Sequence, residues 1–150
     1  MIRTKYILPL LVLFAVTFYG CETTVLPVSA GPPVIQYLDV QPRVITEFAD
    51  SIIITFKYDD PNGDIGTDDP NIYSLAVQDM RLENPDWYHV SMLAPENEEL
   101  SISGVLELKI KNSFLLGTGT TETTSYQLML KDRAGNESNI IQTDQIQINR

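Results

Sequence analysis

The stretch Ser51-Ile52-Ile53-Ile54-Thr55-Phe56-Lys57-Tyr58-Asp59-Asp60-Pro61-Asn62-Gly63 decides the fold. Ile52, Ile54, Phe56 and Tyr58 recur at period two, opposite Ser51, Ile53, Thr55 and Lys57. Successive side chains of a strand point to opposite faces, and β-branched and aromatic residues suit such a surface, so this is a strand with one buried face. It ends in Asp60-Pro61-Asn62-Gly63, with Asp first, Pro second and Gly last, as a type I turn prefers.

The same alternation recurs on either side. A leading segment runs from Val34 to Val40, and Tyr73, Leu75 and Val77 form the next set. Tyr88, Val90 and Met92 follow, then Ile102, Leu106, Leu108 and Ile110 opposite Glu107, Lys109 and Lys111. Tyr126, Leu128 and Leu130 alternate with Gln127, Met129 and Lys131, and a last strand carries Ile146 and Ile148. No segment sustains an apolar period of 3.6. About seven short strands separated by turn residues predict an all-β protein, an antiparallel β-sandwich over residues 34–150. Gly117 to Thr124, rich in Gly and Thr, reads as a mobile connection.

The chain has 150 residues, enough for one domain and too few for two ordinary ones. Its 10 Lys and Arg face 20 Asp and Glu, a net charge of −10. Nucleic-acid binding needs a basic stripe to neutralise phosphates, and this balance excludes it. One Cys and one His can build neither an internal disulfide nor a Cys/His zinc cage. No motif places a Ser, Asp or Cys partner beside His89, so the expected function is non-catalytic.

Arg3 and Lys5 precede an apolar run from Tyr6 to Tyr19, which is shorter than the roughly 20 residues of a membrane-spanning helix. Charge, length and the small Gly20 describe a secretory signal over residues 1–20. The only Cys follows directly, in Phe18-Tyr19-Gly20-Cys21. This resembles the lipobox of bacterial lipoproteins, with Phe18 and Tyr19 where the usual pattern has Leu and a small residue. The resemblance implies that Cys21 is acylated and becomes the mature N-terminus. An ordinary secretory signal, or an uncleaved anchor, with an incidental Cys is the competing reading. Several acyl chains on one Cys, each buried methylene contributing ~0.8 kcal/mol, anchor a protein stably where one chain does not. Cleavage leaves 8 basic against 20 acidic residues, a net −12, so attachment rests on lipid and not on a basic patch. Residues 21–33 hold three prolines without periodicity and read as the lipidated Cys plus a tether, ~40 Å long when extended.

Tyr126 through Ser138, with Asp132-Arg133-Ala134-Gly135 directly after a strand, resembles the sixth-to-seventh strand region of fibronectin type III and related immunoglobulin-like domains. The resemblance implies that Tyr126 is a corner tyrosine whose hydroxyl bonds back to the backbone. Phe56 through Gly66, the Asp132–Asn136 turn and the lipobox together look like small Bacteroidota-type envelope lipoproteins with one immunoglobulin-like domain. That likeness implies a cell-envelope, outer-membrane location, with the facing side open. The tether, the missing catalytic constellation and a fold that presents loops and edge strands lead to the expectation of a protein partner or an accessory role in an envelope complex.

Three sets of candidate site residues follow. The loops Asp59–Asn71 and Asp132–Asn139 are expected at one end of the sandwich, and the first carries five Asp and no base. Two carboxylates ~5 Å apart repel by about 3 kcal/mol at an effective dielectric near 20, which invites a counter-ion. All-oxygen ligands suit Ca²⁺, and Asp60, Asn62 and Asp64, with Asp132 from the second loop, are the candidate ligands. Asp60, Asn62 and Asp64 mimic the start of an EF-hand loop, but Ile65 and Asn71 stand where Gly and Glu are required. Solvated turns use the same residue types. Trp87 and Tyr88 offer a stacking platform for a sugar ring, the basis of an alternative function as a surface glycan-binding module with or without Ca²⁺. Asp50-Ser51-Ile52 resembles a Bacteroidota-type O-glycosylation acceptor.

Overall fold

The computed structural model describes residues 31–95 and 100–150. The expected signal segment, Cys21 and the tether up to residue 30 lie outside the described residues, so the expected boundaries there are not addressed. Among the described residues the chain is all-β, in ten strands and three sheets.

The first sheet has the order β1 (Val34–Gln41), β3 (Ser51–Asp60), β6 (Ile102–Lys111). A second has the order β5 (Asp86–Tyr88), β4 (Leu75–Asp79), β8 (Tyr126–Leu130), β9 (Ile141–Gln142). A third joins β2 (Val44–Thr46), β10 (Ile146–Asn149) and β7 (Thr121–Thr124). The last two are continuous in sequence at Ser125, where Met80 N–H donates to the Ser125 carbonyl at 3.0 Å and Thr143 N–H to the Tyr126 carbonyl at 2.9 Å.

The opening stretch of sequence behaves as its pattern demands. Ile52, Ile54 and Phe56 are fully buried at the centre of the first sheet, while Ile53 on the other face is exposed. They share one core with Leu75 and Val77 of β4, Tyr126, Leu128 and Leu130 of β8, and Ile146 and Ile148 of β10. Each such side chain contributes about 1.5–3 kcal/mol when fully buried, which makes this shared interior the force that packs the sheets face to face. The result is the expected sandwich-like all-β layering.

Several expectations need correction. Ten strands form where about seven were expected, the additional ones being the short β2, β7 and β9. The pairing is not wholly antiparallel, since β2 runs parallel to β10. Tyr73 lies outside β4 and is half exposed, and the run from Tyr88 to Met92 is a strand only up to Tyr88. Residues 121–124 are not a loose connection but β7, antiparallel to β10, with three β-branched Thr suited to it.

Gly66 shows how tightly the loop after β3 is set. Its φ is +79°, a region L-residues avoid, and a Cβ there would overlap the Ser91 carbonyl oxygen. Gly66→Ala combines strain with backbone overlap and is expected to lower stability by about 2–4 kcal/mol. Urea unfolding of the variant checks this, and a midpoint equal to the parent's contradicts it.

At the opposite end, Arg81 ties the end of β4 to β7. Its guanidinium meets Asp79 at 2.6 Å and Glu122 at 2.8 Å, and Thr124 Oγ1 donates to Asp79 Oδ1 at 2.6 Å. Glu122 also accepts the Leu116 and Gly117 N–H groups. Burial pushes the Asp79 carboxyl up, but the Arg81 and Thr124 donors more than offset it and hold it below the usual range. Glu122 is lowered first by the two backbone donors, then by Arg81. A carboxyl depressed by folding stabilises above its unfolded pKa of about 4, and that contribution is lost as pH falls through the folded value. Arg81→Met should cost about 2 kcal/mol near neutrality, intermediate between exposed and buried pairs. The difference from the parent should shrink below pH ~4. Chemical denaturation across that range reads both, and a difference that is constant with pH counts against the network.

Candidate functional site

Asp60 ends β3 with no exposure at all. Its carboxylate accepts the Ile65 N–H at 3.1 Å and the Asn62 N–H at 3.3 Å, which turns the chain back and buries Ile65. Asn62 Nδ2 donates to Asp64 Oδ1 at 2.9 Å. Asp64 then reaches across to the second loop, where its Oδ2 accepts the Ala134 N–H at 3.1 Å and its carbonyl the Arg133 N–H at 3.0 Å. Arg133 answers by donating Nη1 to the Gly66 carbonyl at 2.8 Å. Asp132, also buried, accepts from Asn136 N–H at 2.7 Å and Asn136 Nδ2 at 2.8 Å. The two expected loops do meet at one end, latched together.

The candidate calcium ligands are largely engaged in hydrogen bonds already. The carboxylates of Asp60 and Asp132 accept N–H groups of their own loops, and Asp64 accepts from Asn62 and from Ala134 of the second loop. Asn62 Oδ1 is buried with no hydrogen-bond partner. Among the described residues no three His, Cys, Asp or Glu are grouped so as to hold a metal ion. The acids still feel one another, because burial and then the charges of Asp132 and Asp60 raise Asp64, against the Ala134 N–H and Arg133. Crowding of acids at this end is legible in the sequence, but the capture of each carboxylate by backbone donors is not.

Trp87 and Tyr88 are neighbours on β5 and therefore point to opposite faces. Trp87 stands exposed over a shallow outer hollow of about 150 Å³ with Gln78, Gln127 and Met129. Tyr88 packs against the core, and burial, then Asp86, raises its hydroxyl pKa. The two rings are not brought together as one platform. His89 is similarly occupied, with Nδ1 2.9 Å from the Ile72 carbonyl, which makes Nδ1 the protonated nitrogen.

Sequence reasoning missed a larger feature beside the latched loops. A hollow of about 470 Å³ is lined by Thr67, Ile72, Tyr73, Ser74, Lys131 and Arg133, among others. Tyr73 and Ile72 expose about half their surface there, at 55% and 51%. Far from it, at the start of β3, Phe48 and Phe114 stack with centroids 5.6 Å apart and planes within 3°. Phe48 is 64% exposed, and its φ is +58°.

No protein-family model matches the chain, and no curated protein matches it either.

Asp60→Ala leaves two N–H donors without acceptors and is expected to destabilise by about 2–4 kcal/mol, with Asp60→Asn milder. Neither the parent nor the variants should change melting midpoint between chelator and millimolar Ca²⁺. A calcium-dependent rise in the parent, absent from Asp60→Asn, would restore the ion-binding reading.

Proposed function

We propose that this chain is a non-catalytic lipoprotein of the bacterial cell envelope, anchored to the outer membrane through Cys21. In this reading a single immunoglobulin-like domain presents a surface to a protein partner. The position of the sole Cys at the end of the apolar run, after Gly20, supports the anchor. The strand order supports the immunoglobulin-like type: the first run divides, β1 pairing with β3 and β2 running parallel to β10. Tyr126 supports it less directly. Its buried hydroxyl lies 3.4 Å from Ser113 Oγ, where the resemblance implied a backbone partner.

The observation that carries the partner-binding reading is the Phe48–Phe114 pair. A non-glycine residue at positive φ costs about 1–3 kcal/mol, and such strain gathers at functional positions. Here it holds an aromatic ring in water, and exposed aromatics are favoured anchors of protein interfaces. The geometry of attachment agrees. The chain enters β1 at the acid-rich end, where Asn139 brackets Ile35 by bonds of 2.9 Å to its N–H and carbonyl. β3 then runs ten residues between the two ends, ~30 Å at strand spacing. A tether arriving at the acidic end leaves the phenylalanine end farthest from the lipid.

Mass spectrometry of membrane fractions is expected to find an acylated N-terminal peptide beginning at Cys21. Crosslinking in detergent extracts should yield a defined partner with the parent and much less with Phe48→Ser, which removes the ring. An unmodified thiol on a freely soluble product sinks the anchor. Equal capture by Phe48→Ser sinks the docking surface.

A further inference from the structure

We propose that the hollow between the latched loops is a binding site for a neutral pyranose sugar, on the face served by Tyr73 and not by Trp87. The site is built from two strand ends and two loops. Ile72 and Tyr73 lead into β4, Lys131 and Arg133 follow β8, and Thr67 comes from the loop after β3. Its volume of about 470 Å³ falls in the range of small-molecule sites. The Arg133 and Asp64 bonds hold both loops in place before any ligand arrives, which lowers the ordering cost of binding.

The lining selects the ligand. Tyr73 presents an exposed ring at the hollow, the kind of flat apolar surface on which the C–H face of a sugar packs. Lys131 is the one described lysine that is not fully exposed, and no acid pairs with it among the described residues. It repels cationic ligands. The buried carboxylate of Asp132 lines the same wall, and the chain as a whole is strongly acidic. Both repel anionic ones. What remains is an uncharged ligand with one apolar face and many hydroxyls.

Ser74 supplies the independent observation. It lines the same hollow, is more than nine-tenths buried, and its Oγ has no hydrogen-bond partner. A buried hydroxyl without a partner lowers stability, and such departures from local consistency are expected where function demands them. Rotation about χ1 and of the hydroxyl about its Cβ–Oγ bond lets it turn to a ligand hydroxyl.

The test titrates the full chain, in a detergent without a sugar headgroup, with a panel of neutral methyl hexopyranosides and with sodium glucuronate. At least one neutral member should bind with a millimolar Kd, and glucuronate about tenfold more weakly or not at all. Tyr73→Ala and Lys131→Met should each weaken binding about tenfold, and Trp87→Ala should leave it unchanged. Ser74→Ala should raise the melting temperature while weakening binding, a pairing that a purely structural serine would not give. The proposal fails if no member of the panel binds, or if binding survives both Tyr73→Ala and Lys131→Met. It also fails if Trp87→Ala abolishes binding, or if Ser74→Ala tightens it. None of these failures touches the anchoring of Cys21.

Discussion

A carboxylate sealed at the tip of the central strand sets the arrangement of the loop end of this protein. Among the described residues no cation pairs with Asp60; its carboxylate accepts the Ile65 and Asn62 N–H groups, which converge because the chain turns at Pro61. Charged acceptors make the strongest hydrogen bonds to backbone donors, and in a buried setting neither partner has water as a substitute. The turn that satisfies Asp60 also drives Ile65 into the core and delivers Asp64 to the neighbouring loop. Core packing and loop placement are therefore one problem with one solution.

The two ends of the sandwich handle their acids differently. At the loop end, carboxylates are held mainly by backbone and amide donors, with Arg133 bonded to carbonyls and not to acids. At the other end, Arg81 gathers Asp79 and Glu122, Arg150 meets Glu47 at 3.0 Å, and Arg43 meets Asp144 at 2.7 Å. Net negative charge is thus left mainly at the end where the chain enters β1. A lipid tether attached there would bring that charge toward headgroups that repel it, which favours a domain held away from the membrane and an exposed phenylalanine pair turned outward.

Much of this was legible in the chain. Period-two alternation found Ile52, Ile54, Phe56, Leu128 and Leu130 as core, because a strand shows its two faces in its order of residues. It also found both acid-bearing turns. It failed at Gly117–Thr124, where four polar-looking residues form β7 only because β10 lies alongside. It failed at Trp87 and Tyr88, where adjacency in sequence was read as adjacency in space although a strand sends neighbours to opposite faces.

The amino-acid order by itself determined that the molecule is all-β, where its core residues fall, and that acids crowd two loops. Those properties are local, written in side-chain alternation and turn chemistry. Only the tertiary structure decided what the acids do, which aromatics are free, and where a hollow opens. Each of those depends on groups far apart in the chain: Asp64 on Ala134, Arg133 on Gly66, Tyr73 on Lys131. Hydrogen-bond capture and cavity shape are set by the few ångströms between such partners, a distance that sequence spacing does not contain.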